Sequence, residues 1–460
     1  MTIMTRRRGS RDLAMAESSA PDAEQLVAMA EDARLRTLET VGDLDDEHLI
    51  GPQLAIVNPP LWEIGHVGWF WEFFSVRYRG EGNVAPSPFP AADAVYNSAA
   101  ITHDDRWRAQ LLSREETFAY LRAVLDRALE WLRTERDQRT AYFAQLATFH
   151  EDMHGEAFLW TRQTHGLAFP PIAAADLGAR DGLVAGPLPG DVEVPGGTFR
   201  LGAERDAPFV FDNEQWAHAV ELEPFRIARA PVTNAELAAF VEDGGYSRRE
   251  LWSDEGWAWR SASGVELPLY WSRSGTRDWR VRRFDRTLVL RSEEPAMHVN
   301  WFEADAFCRW AGRRLPSEAE WEAAAAAEPA NGGLAERKRA FPWGEPAPVG
   351  EGFARANLDA RLGGPVDVAA FAAGDSVWGC RQMIGNVWEW CADDFGPYPG
   401  FEPGAYREYS EPWFGDHKTA RGGSWATRGR MLRNTWRNFA QPDRRDLFFG
   451  FRTCAPRAGE

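Results

Sequence analysis

Two histidines four residues apart, His150 and His154, stand in the run Phe149-His150-Glu151-Asp152-Met153-His154-Gly155-Glu156. Apolar residues recur around them at Phe143, Leu146, Phe149, Met153, Ala157 and Trp160 with no intervening proline, which is helical spacing. On a helix, residues i and i+4 stack on successive turns, so both imidazoles can meet one ion. Glu156 lies about 120° or more around the helix from that pair, at roughly 100° per residue, and makes a poor third ligand. A third imidazole is available upstream as His66, in Pro60-Leu61-Trp62-Glu63-Ile64-Gly65-His66-Val67-Gly68-Trp69-Phe70. Two histidines from one helix and one from another build an open metal site in the core of a helical bundle. The competing reading is of ordinary core histidines, and spacing alone leaves both open.

Those side chains need rigid carriers. Residues 1–21 read as a disordered tail and 22–170 as all-α. Ala23 to Val41 is amphipathic, and Leu61 to Tyr78 forms a second helix started by Pro59-Pro60 and carrying His66. A Pro- and Gly-rich loop follows from Gly80 to about Ser98. Ser113 and Glu116 make a capping box for a long helix through Arg136, and the two-histidine helix comes next. Four helices with one long crossing loop predict a four-helix bundle. Residues 171–190 are small, Gly- and Pro-rich, and read as a linker. Beyond it, residues 191–458 form a second domain of short β-like runs and Gly-rich turns. Two helices are predicted there, opened by capping boxes at Thr233/Glu236 and Ser317/Glu320. So irregular a domain must be held by aromatic packing and buried polar networks.

Charge and composition exclude several classes of function. The net charge of −17 argues against a nucleic-acid partner and leaves small molecules as the expected ligands. No apolar run approaches the ~20 residues of a membrane span, and no export signal follows Arg6-Arg7-Arg8. The cysteines, Cys308, Cys380, Cys391 and Cys454, make no C-x-x-C pair, so a reducing cytoplasm is the expected setting.

The second half carries, in order, Val194-Pro-Gly-Gly-Thr-Phe-Arg-Leu-Gly202, Pro231-Val-Thr-Asn-Ala-Glu236, Arg313-Arg-Leu-Pro-Ser-Glu-Ala-Glu-Trp-Glu322, Gly385-Asn-Val-Trp-Glu-Trp390, Arg421-Gly-Gly-Ser-Trp425 and Gly450-Phe-Arg452. These resemble the formylglycine-generating-enzyme (sulfatase-modifying factor) domain, an irregular α+β fold of the C-type-lectin type. The first half, with His66 and His-x3-His-x-Glu, resembles a DinB-type bundle. Their fusion is similar to the non-haem iron sulfoxide synthases of ergothioneine and ovothiol biosynthesis and the related selenoneine synthases. Formylglycine-generating enzymes proper use copper-binding cysteines between the last two motifs, and residues 426–449 contain none. A zinc-dependent DinB-type thiol transferase is the remaining alternative, although those lack a second domain.

The resemblance implies an enzyme, a non-haem iron oxidoreductase holding Fe(II) on His66, His150 and His154. It implies joining sulfur or selenium to C2 of the hercynine imidazole with O2. Tyr406 and Tyr409 are the expected catalytic tyrosines, one of them a proton donor. Asn438, Phe439, Trp436 and Met153 are the expected substrate contacts, Trp436 and Phe439 alternatively being core strand residues. Residues 406–445 should form the far wall of a site between the domains. Glu151, Asp152 and Glu156 can orient the ligand imidazoles, the alternative for Asp152 being a solvated helix face. Thiol-using relatives carry N-S-Y-Y where Asn97-Ser98-Ala99-Ala100 stands, Asp where Ala440 stands, and Gln where Met153 stands. Asn58-Pro-Pro-Leu-Trp-Glu63 and His-Glu-Asp-Met-His look closest to selenoneine synthases. The resemblance therefore favours a selenosugar donor, with cysteine or γ-glutamylcysteine as the alternative.

Overall fold

The computed structural model describes residues 21–457 except 81–82, 136, 275–277, 346 and 349. The expected tail therefore lies, but for Pro21, outside the described residues. In the first domain the helices are α1 (Ala23–Val41), α2 (Asp46–Ile50), α3 (Pro60–Trp71), α4 (Ala92–Val95), α5 (Arg114–Thr134) and α6 (Gln138–His165). Asp22 caps α1 and Ser113 caps α5, each in a capping box with the residue three positions on. Pro60 opens α3, where its missing N–H costs nothing. After Trp71 the same helix widens into a π-type turn over Glu72–Arg77. The helix α6 runs 28 residues and stops at Gly166, whose φ of 70° suits glycine. As expected, α1, α3, α5 and α6 make the bundle, α1 and α3 each packing on both α5 and α6. Close approach decides one residue: a Cβ at Gly65 would lie 2.2 Å from the Tyr96 ring.

The 171–190 stretch contains a short helix, α7 (Leu177–Gly182), and is laid along the second domain. There the buried Arg180 bonds to Glu294 and the Pro365 carbonyl, and Asp367 accepts from the N–H groups of Ala185 and Gly186. Beyond it come α8 (Asn234–Glu242), α9 (Asp254–Ser263), α10 (Trp301–Trp310) and α11 (Glu318–Ala326). Two of these were expected; α9 and α10 correct that reading. The helix α10 opens with a capping box of Asn300 and Glu303, a signal present in the sequence but masked by its aromatic start.

The strands are short. β1 (Asp191–Val194) pairs with β4 (Phe225–Ala228), and β2 (Gly197–Leu201) with β3 (His218–Leu222). β5 (Trp271–Ser274), β6 (Asp278–Arg283) and β7 (Arg286–Val289) form a meander, and β8 (Ala327–Ala330) pairs with β9 (Gly333–Lys338). The largest sheet has the order β12 (Arg437–Ala440), β11 (Lys418–Arg421), β10 (Trp388–Asp394), β13 (Phe449–Gly450). Little regular ladder remains to hold this domain, and buried ion pairs take its place. Arg421 bridges Glu318 and Glu322, Arg437 grips Glu318, and Arg452 grips Glu389.

One apolar core runs unbroken from the bundle into the second domain. Tyr142 of α6 stacks on Phe209 at 5.2 Å, and Phe149 meets the same ring edge-on at 4.9 Å. Each such ring removed from water contributes about 1.5–3 kcal/mol, so α6 is held from both sides.

Candidate metal centre

Three helical imidazoles converge where the core crosses between domains. His66 from α3 faces His150 and His154 from α6, with one ligand-capable nitrogen from each lying within 4.8 Å of the others. His66 Nε2 and His150 Nε2 are 3.2 Å apart. The spacing argument thus holds geometrically: the i, i+4 pair and the distant histidine do come together.

Each ring has its own support. His66 Nδ1 lies 2.7 Å from the Tyr96 carbonyl, and its ring is sandwiched by Trp62 at 5.1 Å and Trp69 at 5.7 Å. His154 Nδ1 lies 2.6 Å from Glu63 Oε1. A carbonyl and a carboxylate can only accept, so both Nδ1 atoms carry the proton and both Nε2 atoms present a lone pair. His150 stacks on Phe70 at 3.5 Å, while its Nδ1 has no hydrogen-bond partner among the described residues. Burial, and then the closeness of the His154 ring, push the His66 and His150 imidazoles well below their ordinary range, so both are neutral. Converging lone pairs in a largely buried site fit a cation, and a nitrogen donor set suits a divalent transition metal.

The carboxylates next to these histidines do not orient them, contrary to expectation. Glu151 accepts from Arg34, Thr37 and Trp71 inside the bundle. Asp152 is not on a solvated face: it is 3% exposed and accepts two hydrogen bonds of 2.7 Å from Arg430. Glu156 accepts from Ser424, Thr427 and Trp388 of the second domain. The orienting carboxylate is Glu63, three residues before His66 on α3; that i, i+3 spacing was the available signal. Glu63→Gln should weaken Co(II) binding about tenfold, because the amide accepts the same bond without a full charge. A metal titration of the purified protein followed by absorbance checks this.

The expected wall residues form a continuous aromatic path from the triad. Tyr406 meets His150 at 5.7 Å and Phe70 at 4.8 Å, and Tyr409 lies 5.7 Å beyond, stacked on Tyr406. Tyr409 in turn touches Phe439 at 5.6 Å, and its hydroxyl lies 3.4 Å from Trp436 Nε1. Burial pushes both phenols above their ordinary value, keeping them protonated. Trp436 is a core residue, 3% exposed, whereas Asn438 and Phe439 are half-buried on β12, where the Asn438 side chain accepts from the Phe439 N–H. Met153 packs half-buried against the shared core. A cavity of about 200 Å³ opens alongside the centre, lined by Asn58, Glu63, Arg106, Ala157 and Trp160 among others.

Residues 182–456 match the sulfatase-modifying factor enzyme 1-like domain, and residues 29–158 match the DinB superfamily. The two together, with the histidine triad in the seam, define an oxidoreductase of two fused modules. The chain belongs to the hercynine oxygenase family. It is 38% identical over 447 residues to hercynine oxygenase of Mycolicibacterium thermoresistibile, covering 94% of this chain and 95% of that one. Against the Mycobacterium tuberculosis hercynine oxygenase it is 37% identical over 431 residues, covering 93% and 98%. The formylglycine-generating enzyme of Thermomonospora curvata is 35% identical over 226 residues, 44% of this chain and 71% of that one. Among the described residues, no helix is long and apolar enough to cross a membrane.

Proposed function

We propose that this enzyme binds Fe(II) on His66, His150 and His154 and uses O2 to join a chalcogen to C2 of the hercynine imidazole, preferring a selenosugar donor. The observation that carries the reading is the set of converging Nε2 atoms with the Tyr406 ring against His150. Bound Fe(II) supplies O2 activation and open coordination positions. The protein's residues do the rest. Phe70, Tyr406, Tyr409 and Phe439 offer ring faces suited to a trimethylammonium group. Tyr406, kept protonated by burial, holds a proton beside the triad and can give it up to a developing oxyanion. Two domains closing over one seam exclude water from the reacting atoms.

For the donor, Ala99, Ala100, Met153 and Ala440 stand where the resemblance implies that thiol-using relatives carry larger or polar groups, and that change would suit a neutral sugar carrying a soft selenolate. One observation favours a second reading. Arg106 lines the cavity, bonds to Asn58 and the Ser98 carbonyl, and has no carboxylate within 4.0 Å among the described residues. That guanidinium, stacked on the Trp62 ring at 4.2 Å, would suit the carboxylate of cysteine or γ-glutamylcysteine. The four buried thiols, all unpaired, fit a reducing cytoplasm.

Anaerobic reconstitution with Fe(II), followed by O2 and competing donors, tests the proposal. O2 uptake should require hercynine and a donor together, and 1-seleno-N-acetylglucosamine should exceed cysteine and γ-glutamylcysteine in kcat/KM by about tenfold or more, a difference of roughly 1.4 kcal/mol in the barrier. Faster turnover with either amino-acid thiol, with that advantage lost in Arg106→Gln, would establish the second reading instead.

A further inference from the structure

On α6, positions 150 and 154 lie about 40° apart and so do 152 and 156, the two pairs being on opposite faces at roughly 100° per residue. The first face carries the histidines. The second is held by one short segment of the second domain, Ser424 to Arg430. Ser424 and Thr427 each donate a hydrogen bond of 2.6 Å to Glu156, and Trp388 adds a third of 3.0 Å. One turn earlier, Arg430 takes Asp152 with two bonds of 2.7 Å. The same arginine bonds Asp32 of α1 at 2.5 Å; Arg428 pairs with Asp32 and lies 3.2 Å from Asp359. Asp152 and Glu156 are 3% and 6% exposed, so neither carboxylate has water as a substitute partner.

The geometry points to Ser424–Arg430 as a positioning clasp: by gripping Asp152 and Glu156, it fixes the height and rotation of α6 and so aims His150 and His154 at His66. Glu63 and the Tyr96 carbonyl orient single rings; the clasp orients the helix that carries two of them. It also gives the second domain a share in the metal's geometry without contributing a ligand. Arg430 and Arg428 are positioning residues and touch no expected ligand atom. The inference rests on the three-histidine reading of the centre.

Co(II) is the probe, because its visible absorption reports ligand geometry as well as occupancy. Arg430→Gln should raise the Co(II) Kd on the order of tenfold and shift the visible bands. If that variant does not fold, Asp152→Asn serves, since Arg430 then keeps Asp32. Arg36→Gln is the control. Arg36 spans the same interface through the Asp359 carbonyl but does not touch α6's second face, so the variant should lose Tm while keeping the wild-type Kd and spectrum. Wild-type Kd and bands in Arg430→Gln, or equal changes in Arg36→Gln, would overturn the clasp and leave the metal site standing. A wild type that binds no Co(II), or binds it independently of His66, would overturn both.

Discussion

Replacing His66, His150 or His154 by alanine is expected to abolish metal binding and turnover together while leaving the apo fold intact. Among the described residues each imidazole is one of three converging nitrogens, so its loss should exceed the 10–100-fold penalty of removing an outer partner. The fold should survive because these rings are a burden without an ion. His66 and His150 are buried and desolvated, and the His150 Nδ1 is left unsatisfied among the described residues. Function, not stability, explains such a cluster in a core. Apo alanine variants should therefore melt near or above the wild type. The separation appears when metal is added: at 100 times Kd a ligand stabilises the native state by about 2.7 kcal/mol. Wild type should gain Tm with Fe(II) under nitrogen and the variants should not. An equal gain in His66→Ala would dismantle the three-histidine centre.

The largest stability effect is expected from Arg421→Met. The Arg421 side chain is fully buried and donates to Glu318 at 2.9 Å, Glu322 at 2.5 Å and the Asn434 carbonyl at 2.6 Å. Arg437 also holds Glu318, and Lys338 also holds Glu322 at 2.6 Å. Two cations then remain for two carboxylates, but the Asn434 carbonyl and Glu322 Oε2 lose the donor that Arg421 gave them, while Glu318 Oε1 keeps only Arg437 Nε. Breaking a buried pair on one side costs about 3–5 kcal/mol. For a domain of this size that is a fall in Tm of roughly 10 °C, measurable by calorimetry. Acid should reveal the same network. Burial pushes the Glu322 carboxyl upward, but Lys338 and Arg421 outweigh it and hold it below its ordinary value. A depressed carboxylate adds stability above its unfolded pKa of about 4.3, and loses it as pH falls through the lower folded value. Without Arg421 that folded value rises, so the acid transition should move to higher pH.

Helix periodicity made the metal centre legible because it dictates which residues share a face. Periodicity put His150 and His154 on one face, while the choice of His66 as their partner also drew on the bundle pattern and the resemblance. Capping chemistry located α5, α8 and α11 for the same reason, being a purely local pattern. Sequence proximity misled at the carboxylates. Asp152 sits between two of the histidines in the chain yet points the other way, while the useful carboxylate, Glu63, comes from another helix. The second domain yielded its motifs but not its form. Asn386 shows why: at φ 73° it bonds Val366, Asn357 and Gln382, twenty or more residues away in two cases, and no local pattern encodes such partners.

The Glu156 contacts bear on how the two modules could have come to be inherited as one. Ser424 belongs to the R-G-G-S-W motif that places this domain beside formylglycine-generating enzymes, yet here its hydroxyl is committed to a carboxylate on the other module. Without the second domain Glu156 would lose all three of its donors, and without the bundle those donors would face no acceptor. A cut at residues 171–190 would therefore leave unpaired buried polar groups on both sides of this seam.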